Sequence, residues 1–477
     1  MCYHVNRLTY QHIRRRILKR VLSLAIAIVL GVNTAIAKEP ENKSYDIDFP
    51  TAYELMFNNN NTIKAMVEEI NVKKYKRRSA IGEYFPKVGV NATFLHFNKD
   101  IKTQVTHVKV NNTPMNVPNI GIQDKNLTLF GFTAVWNVFT GGKIIALNSA
   151  ARAELAGSNL KYKSLSAELT NKLVERYYGL AFAVDVATVR KMVMTTNEEH
   201  LNDAIKMEKE GMIPKSERLH AEVAYRQAKK DYDASLKDIL IVEEGLKNLI
   251  KADDVDISNV SIEPQSFLFI YNGELPSLEE LKKEAVKNNP DFQQTDVQKR
   301  LAQANYRANA ANYMPTVQVF AYDVAAQDNL ARQLPHYGIG AGVNFMLFNG
   351  LSRYNDLKAA DAMRKEVKYS TVAAKNDVES LVVKNYNELK KYREQYESTD
   401  KSIEHAQESL RCAMLAFREG YGTSLDVTDA QTTLAAIKIQ RLNALYNYDK
   451  KLAEILSNIG QSDKILEYLK NSTQEKL

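Results

Sequence analysis

Glycine, proline and cysteine are all scarce in this chain. Its 477 residues include 19 glycines, 11 prolines and two cysteines. Cys2 lies within the leader predicted below, so the exported chain would keep only Cys412 and could form no intramolecular disulfide. So few helix breakers favour long helices, with glycine concentrated where those helices are interrupted.

Long apolar runs are also missing after residue 37, where no stretch approaches the ~18 consecutive apolar residues of a membrane-spanning helix. The first 37 residues carry a basic region, a short apolar run over 21–32 and small residues at Ala35 and Ala37. This pattern predicts a signal peptide, cleaved between Ala37 and Lys38; an uncleaved anchor helix is the alternative. An exported chain without a spanning helix is periplasmic, secreted or held in the outer membrane as a β-barrel.

An excess of positive charge is absent once the leader is set aside. The leader holds six of the 64 Lys and Arg residues and no acid, so 58 cations face 57 Asp and Glu. A near-neutral chain lacks the basic surface that displaces counterions from nucleic acid. We therefore expect no nucleic-acid partner.

The chain contains an internal repeat that organises the whole fold. Asn59-Asn60 recurs as Asn288-Asn289, at an offset of 229, and Pro86 recurs as Pro315 at the same offset. At an offset of 209, Trp136–Gly141 matches Phe345–Gly350, and Gly211 matches Gly420. Several landmarks that agree on two offsets indicate a duplication, with the change of offset falling in a variable loop near 104–125.

Each half is predicted to contain two short helices, two strands and two long helices. The first repeat covers 38–275, with short helices near 51–60 and 62–84. Its strands are predicted near 87–98 and 127–139 and its long helices near 143–209 and 215–250. The second repeat covers 276–477, with short helices near 277–288 and 291–313. Its strands are predicted near 316–325 and 337–348 and its long helices near 352–418 and 424–458.

The longest helices would each span about 100 Å at 1.5 Å per residue. Their apolar residues form one stripe, as at Leu165, Leu169, Leu173 and Tyr177. A single apolar stripe needs a partner, so these helices must pack laterally in a bundle or coiled coil.

The strands carry a membrane signal. Large side chains alternate with glycine over Tyr337–Phe348, and Phe130, Phe132, Ala134 and Trp136 keep the same parity in the first half. Alternation over 10 to 12 residues fits transmembrane strands, although a half-buried strand of a soluble sandwich also alternates. Four strands cannot close a transmembrane barrel, because the smallest such barrels have about eight. A membrane location therefore requires self-association.

In order, duplication and spacing, the chain resembles the TolC family of outer-membrane efflux proteins over essentially all of its mature length. The residues that carry the resemblance are Phe417–Gln431, Tyr446–Tyr448, Asn458–Gly460 and Phe348–Arg353. The resemblance implies a mainly helical homotrimer in which three chains build a 12-stranded β-barrel and a periplasmic tunnel of helical hairpins. It implies an outer-membrane exit duct for efflux or type I secretion, with an adaptor, an inner-membrane transporter and outer-membrane lipid as partners.

The resemblance also suggests site residues at the hairpin ends. It places Asp426, Asp429 and Glu217 at a periplasmic pore constriction, although acids in a first helical turn also serve as caps and complement the helix dipole. It assigns adaptor docking to residues of the two turns. These are Gly211, Met212, Ile213, Gly420, Tyr421, Gly422 and Leu425. Gly422 stands where the best-known member of the family has an arginine that locks the closed mouth, so we expect that latch to be absent or replaced here.

Catalytic signals are missing. The sequence contains no HExxH, CxxC or Gly-x-Ser-x-Gly pattern. We therefore expect no enzymatic activity, no metal and no cofactor. A periplasmic adaptor or a non-channel structural protein of the envelope are the competing functions; an adaptor would carry one hairpin flanked by lipoyl-like segments, which the duplication argues against.

Overall fold

The computed structural model describes residues 47–103, 108–110, 113–115, 120–123, 125–250, 268–327 and 335–474. The predicted leader and its cleavage site at Ala37 and Lys38 lie outside these residues. None of the described helices is both long enough and apolar enough to cross a membrane.

Four structural units follow one another in each repeat: a pair of short helices, a strand, a second strand and a pair of long helices. The helices are α1 (Phe49–Asn59), α2 (Asn61–Gly82), α3 (Lys143–Lys209), α4 (Lys215–Ile250), α5 (Leu278–Asn288), α6 (Pro290–Ala311), α7 (Ser352–Arg418), α8 (Ser424–Asn458) and α9 (Ile465–Lys470). The strands are β1 (Lys87–His96), β2 (Ile101–Thr103), β3 (Val108–Val110), β4 (Thr113–Met115), β5 (Ile120–Gln123), β6 (Asn126–Phe139), β7 (Phe269–Tyr271), β8 (Thr316–Gln327), β9 (Tyr337–Asn344) and β10 (Ser472–Gln474).

The bounds of the four long helices coincide with those predicted from the repeat. The two longest, α3 and α7, have 67 residues each. Three of the short helices, α1, α2 and α6, begin and end one or two residues before the predicted positions, whereas α5 begins one residue later and ends at Asn288 as predicted. Asn60 and Asn289 are caps rather than helical residues.

The duplicated asparagines perform the same double role in both halves. The Asn60 side chain accepts a hydrogen bond from Thr62 N (2.9 Å), and its amide donates to Leu249 O (3.1 Å). Asn289 likewise accepts from Phe292 N (2.9 Å) and donates to Asn458 O (3.0 Å). Each asparagine therefore caps one helix at its start and satisfies a carbonyl near the end of a long helix, where no intrahelical donor is available.

The helices form a single layer that continues into the sheet. Near the sheet the packing order is α2, α3, α6, α7, and further away it is α4, α3, α8, α7. The strands that join these helices follow the same order, β1-β6-β8-β9, and all neighbours are antiparallel. The layer thus has two different edges, one made by α2, β1 and α4 and the other by α7 and β9.

Two sequence predictions about the strands were wrong. The strand predicted to reach Phe348 ends at Asn344, because Asn344 faces Thr316, the first residue of β8, and β9 has no partner beyond it. The segment predicted as a variable loop near 104–125 contains β3, β4 and β5, and it forms two short antiparallel pairs, β3 with β4 and β5 with the preceding β2.

The main core lies midway along the long helices, where α1, α5, α9 and the β7–β10 pair pack against them. Its largest buried side chains are aromatic: Phe49 stacks on Tyr178, and Tyr178 meets Phe269 edge to face. Aromatic residues of this size bury the most apolar surface per residue and so dominate core energetics. A smaller buried cluster lies at the far end of the hairpins, around Phe417 and Val427.

Candidate functional site: the sheet surface and the hairpin tips

One face of the four-stranded sheet is apolar from edge to edge. The register places Val90 beside Phe132, Trp136 beside Val319, and Val317 beside Val343. Val317 and Val319 are half-buried and the other four side chains are exposed, and Ile339 on the same face reaches 80% exposure. Asp323, opposite Tyr337, is the charged exception on this face. A contiguous exposed apolar surface of this size marks a contact with lipid or another protein.

The opposite face carries mostly glycine, polar residues and two aromatic rings, with Val135 as an exposed apolar residue beside Phe320. Asn91 donates to Thr133 Oγ1 (2.9 Å), while Gly338 and Gly340 lie beneath the rings of Tyr322 and Phe320. A Cβ added at either glycine would come within 3.0 Å of a ring atom. The glycines that alternate with large side chains in this strand therefore allow the close approach of these rings.

Trp136 lies at the end of the sheet nearest the helices. Its indole Nε1 donates to Tyr84 O (2.8 Å), which belongs to the turn between α2 and β1. The ring remains substantially exposed on the apolar face. An amphipathic ring with its N–H bound and its body exposed is typical of a residue at a water–apolar boundary.

The two hairpin tips share one backbone. Gly211 and Gly420 both adopt the left-handed conformation, with φ of 70° and 78°, directly after α3 and α7. Glycine ends a helix in this conformation because it has no Cβ to clash with the carbonyl. Around these turns, Met212, Leu425 and above all Tyr421, at 91% exposure, present apolar surface to solvent.

Two of the predicted docking residues face inward instead. Ile213 packs against the buried cluster around Phe417. Gly422 is half-buried, and a Cβ there would approach Phe417 N to 3.0 Å. The turn therefore leaves little room for a side chain at 422.

The second tip begins with a capping box. The Asp426 carboxylate accepts hydrogen bonds from Thr423 N (2.9 Å) and Thr423 Oγ1 (2.7 Å), and Thr423 Oγ1 accepts in turn from Asp426 N (3.2 Å). These bonds to the Thr423 side chain and backbone lower the pKa of Asp426. Asp429, one turn further along α8, is exposed. The two carboxylates lie on one face of the helix, as the sequence spacing indicates.

Glu217 links the first tip to the second. Its carboxylate accepts from Ser424 N (2.7 Å), and its backbone carbonyl accepts from Ser424 Oγ (3.0 Å). Ser424 is fully buried. Glu217 thus satisfies a buried N–H at the start of α8, a structural role that is separate from the pore-lining role suggested by the resemblance.

Sequence reasoning missed a second connection between the tips. Arg418 Nε donates to Asp203 Oδ2 (2.9 Å), which joins α7 to α3. Nearby, the buried ring of His200 meets Phe417 edge to face, with centroids 4.4 Å apart. Both residues lie on helices without a motif around them, so only the packing of the two hairpins brings them together.

Comparison with known proteins shows which proteins this chain resembles. The family model described as outer membrane efflux protein matches residues 281–461, most of the second repeat. The fold resembles a membrane protein from Pseudomonas aeruginosa over 88% of this chain and 91% of that one, with 13% identity and a TM-score of 0.73. The second repeat therefore has the sequence pattern of outer membrane efflux proteins, and the likeness of fold extends over the first repeat.

Two further solved structures extend the likeness of fold over nearly the whole of this efflux protein. The outer membrane protein VceC of Vibrio cholerae shares 14% identity, with a TM-score of 0.71 over 86% of this chain and 96% of that one. The CmeC outer membrane channel of Campylobacter jejuni shares 15% identity, with a TM-score of 0.71 over 89% of both chains. No curated protein sequence matches this chain significantly.

The efflux protein is an outer-membrane channel with a periplasmic helical extension, and such channels are not enzymes. The apolar sheet face is the surface suited to lipid, and the long hairpins are the periplasmic part. Within the described ranges, no group of His, Cys, Asp and Glu is arranged to hold a metal ion.

The sheet of this chain is open at both edges, with β1 and β9 each paired on one side only among the described residues. Both edges of its layer carry exposed apolar side chains that nothing within the described part of the chain covers. On one edge these include Val223 and Ile241 of α4, with Ile241 at 70% exposure, and on the other Tyr369 and Val372 of α7. Exposed apolar residues repeated along both edges indicate surfaces that another copy would bury.

Proposed function

We propose that three copies of this chain close into a channel that serves as the exit duct of a tripartite efflux or type I secretion system. The observation that carries the proposal is the single layer with two different edges. Edges that differ associate head to tail, and a head-to-tail contact forms a ring when its rotation closes. Closure also pairs β1 of one copy with β9 of the next, which removes unpaired backbone groups that cost several kcal/mol each in lipid.

The number of strands favours three copies. Two copies would supply eight strands, and an eight-stranded barrel is just wide enough for its own side chains. Three copies supply 12 strands and leave a lumen. The polar and glycine-rich sheet face would then line that lumen, and the apolar face would contact lipid, which matches the alternation of transmembrane barrels.

The hairpin tips are suited to two tasks. Asp426 and Asp429 begin an exposed polar stripe on α8 that continues through Thr433, Gln440 and Asn443. We assign this stripe to the lumen, so that three copies bring six carboxylates to the periplasmic mouth. A ring of carboxylates attracts cations and repels anions. Tyr421, Met212 and Leu425 lie at the outermost point of the tips and are the apolar surface available to a periplasmic adaptor, which in turn connects to an inner-membrane transporter.

Native mass spectrometry and planar-bilayer conductance test this assignment on the outer-membrane form. We expect a trimer of chains that begin at Lys38 and that conduct ions. A matched pair of variants tests the sheet: the Cβ of Gly131→Val would lie 2.2 Å from Asp323 O, whereas the nearest contact of the Cβ of Gly89→Val is 3.5 Å, to Thr133 Oγ1. Only Gly131→Val should abolish conductance. A wild type that is monomeric or does not conduct would contradict the proposal.

A further inference from the structure

His200 is buried at the periplasmic end of the bundle with part of its ring unsatisfied. Its exposure is 2%, and its Nε2 has no hydrogen-bond partner among the described residues. The His200 ring extends from α3 and packs against the ring of Phe417 on α7. An imidazole nitrogen held away from water without a partner costs free energy, so His200 destabilises this packed arrangement of the tips.

Gln431 of α8 lies at the same level and is also unsatisfied. The helices α3 and α8 run antiparallel; Ala204 and Val427 share one buried cluster, and Lys438 Nζ lies 3.7 Å from Met192 Sδ. The shared cluster and the Lys438–Met192 contact fix the alignment of the two helices, which places His200 and Gln431 at matching positions along the pair. Gln431 is 1% exposed, and neither its Oε1 nor its Nε2 has a hydrogen-bond partner in the part of the chain that the structure describes.

The charged groups near His200 come from every helix packed around it. Asp203 lies on α3 itself, Glu217 on α4 and Arg418 on α7; on α8, Asp426 and Asp429 lie on the exposed face of the helix and do not act on the ring. Asp203 is already bound to Arg418, and Glu217 to Ser424 N. Burial has the largest effect and lowers the pKa of His200, Asp203 and Glu217 oppose it, and Arg418 adds to the lowering.

We propose that His200, with Gln431 beside it, is an acid-sensitive element that favours separation of the hairpin tips when the periplasm becomes acidic. The inference rests on the proposed channel, whose mouth the tips form. Separation of the hairpins hydrates both side chains. A protonated imidazole gains far more from that hydration than a neutral one, because burying an unpaired charge costs more than burying an unpaired dipole.

The direction of the effect follows from proton linkage. The packed tips bind a proton on His200 less tightly than separated tips, in which the imidazole has its ordinary pKa near 6.5. Acid therefore has no effect above that value. Below it the separated state is increasingly favoured, until the pH falls beneath the lowered pKa of the packed state. Each unit of difference between the two pKa values changes the equilibrium about tenfold per copy.

The first test measures open probability in planar bilayers between pH 7.5 and 5. We expect the open probability of the wild type to rise as pH falls below 6.5. His200→Gln cannot titrate and should lose this rise, whereas His220→Gln, which removes an exposed histidine of the first tip, should keep it. His200→Phe also removes the unsatisfied nitrogen and should lower open probability at every pH. A rise that is unchanged in His200→Gln would overturn the inference.

The second test measures tip separation directly. Cys412 is exposed on α7, two turns before the second tip, and a spin label on it reports distances between copies in the assembled channel. We expect those distances to widen in acid in the wild type and in His220→Gln but not in His200→Gln. Distances that are independent of pH in the wild type would contradict the inference. A wild type that conducts no ions at any pH between 7.5 and 5 would contradict the proposed channel instead.

Discussion

The two hairpin tips have the same backbone and different chemistry. In both, a helix of 67 residues is followed by a glycine in the left-handed conformation. The next helix begins six residues after the last residue of the first helix. The second tip starts its helix with the Thr423–Asp426 capping box. At the corresponding position of the first tip, Glu217 reaches across to Ser424 of the second tip.

The two repeats share the features that set the path of the chain, and they differ in the role of the acidic residue after the turn. The glycine and the helix lengths set the path of the chain, and both copies need the same path in order to pack in one layer. The acidic residue after each turn does not determine the path of the chain, so its role can differ between the two tips. In the second tip it caps its own helix, and in the first tip it connects the two hairpins. The first tip therefore supports the structure of the second.

Removing the acids of the second tip should have the largest effect on the channel. We expect Asp426→Asn with Asp429→Asn to reduce cation selectivity strongly, because three copies would lose six carboxylates from the mouth. Reversal potentials in a salt gradient measure this change. Glu210→Gln with Glu419→Gln removes as many charges from exposed positions of the turns and should change selectivity less. An equal loss in both double variants would show that general charge, rather than a lumenal ring, sets selectivity.

Disconnecting the tips should have the next largest effect. Glu217→Ala leaves the buried Ser424 N–H without its acceptor, a loss of about 1–3 kcal/mol. We expect Glu217→Gln to cost less, because an amide oxygen can still accept that hydrogen bond. Thr423→Ala removes only the local cap and should cost about 1 kcal/mol. Thermal melting of the detergent-solubilised channel orders the three variants. A Glu217→Ala variant as stable as the exposed control Glu210→Ala would contradict the connection.

The fold was largely predictable because local signals mark where its elements begin and end. Gly141, Gly211 and Gly420 stand at helix boundaries, Pro86 and Pro315 precede strands, and the repeat supplies each boundary twice. The errors occurred where the boundary depends on a neighbour. Phe345–Phe348 keeps the alternation of a strand, yet it has no partner once β8 begins at Thr316.

The site was less predictable for the same physical reason. Glu217 and Ser424 are 207 residues apart, and no local pattern indicates that a carboxylate of one hairpin accepts from the backbone of another. His200 lies within a continuous helix and gave no signal at all. A lone histidine is usually a core residue, and its unsatisfied nitrogen is visible only after three helices are packed around it. The pore-lining and docking assignments stay predictions, because they concern surfaces shared between copies and partners.

The smallest expected effect tests the claim that the two tips share one backbone. Neither Gly211 nor Gly420 has any atom within 4 Å of an added Cβ, so alanine at either position meets no neighbour and pays only for the left-handed conformation. That cost is about 1–2 kcal/mol for a residue with a Cβ. We expect Gly211→Ala and Gly420→Ala to lower the melting temperature equally, and asparagine, which tolerates this conformation better, to lower it less at both. If the variants at Gly211 and Gly420 lose stability equally but lose adaptor binding unequally, docking belongs to the side chains of the tip whose variants bind the adaptor less well. Unequal losses in stability would mean that the backbones differ in what they support, and the comparison of the two tips would fail at its first step.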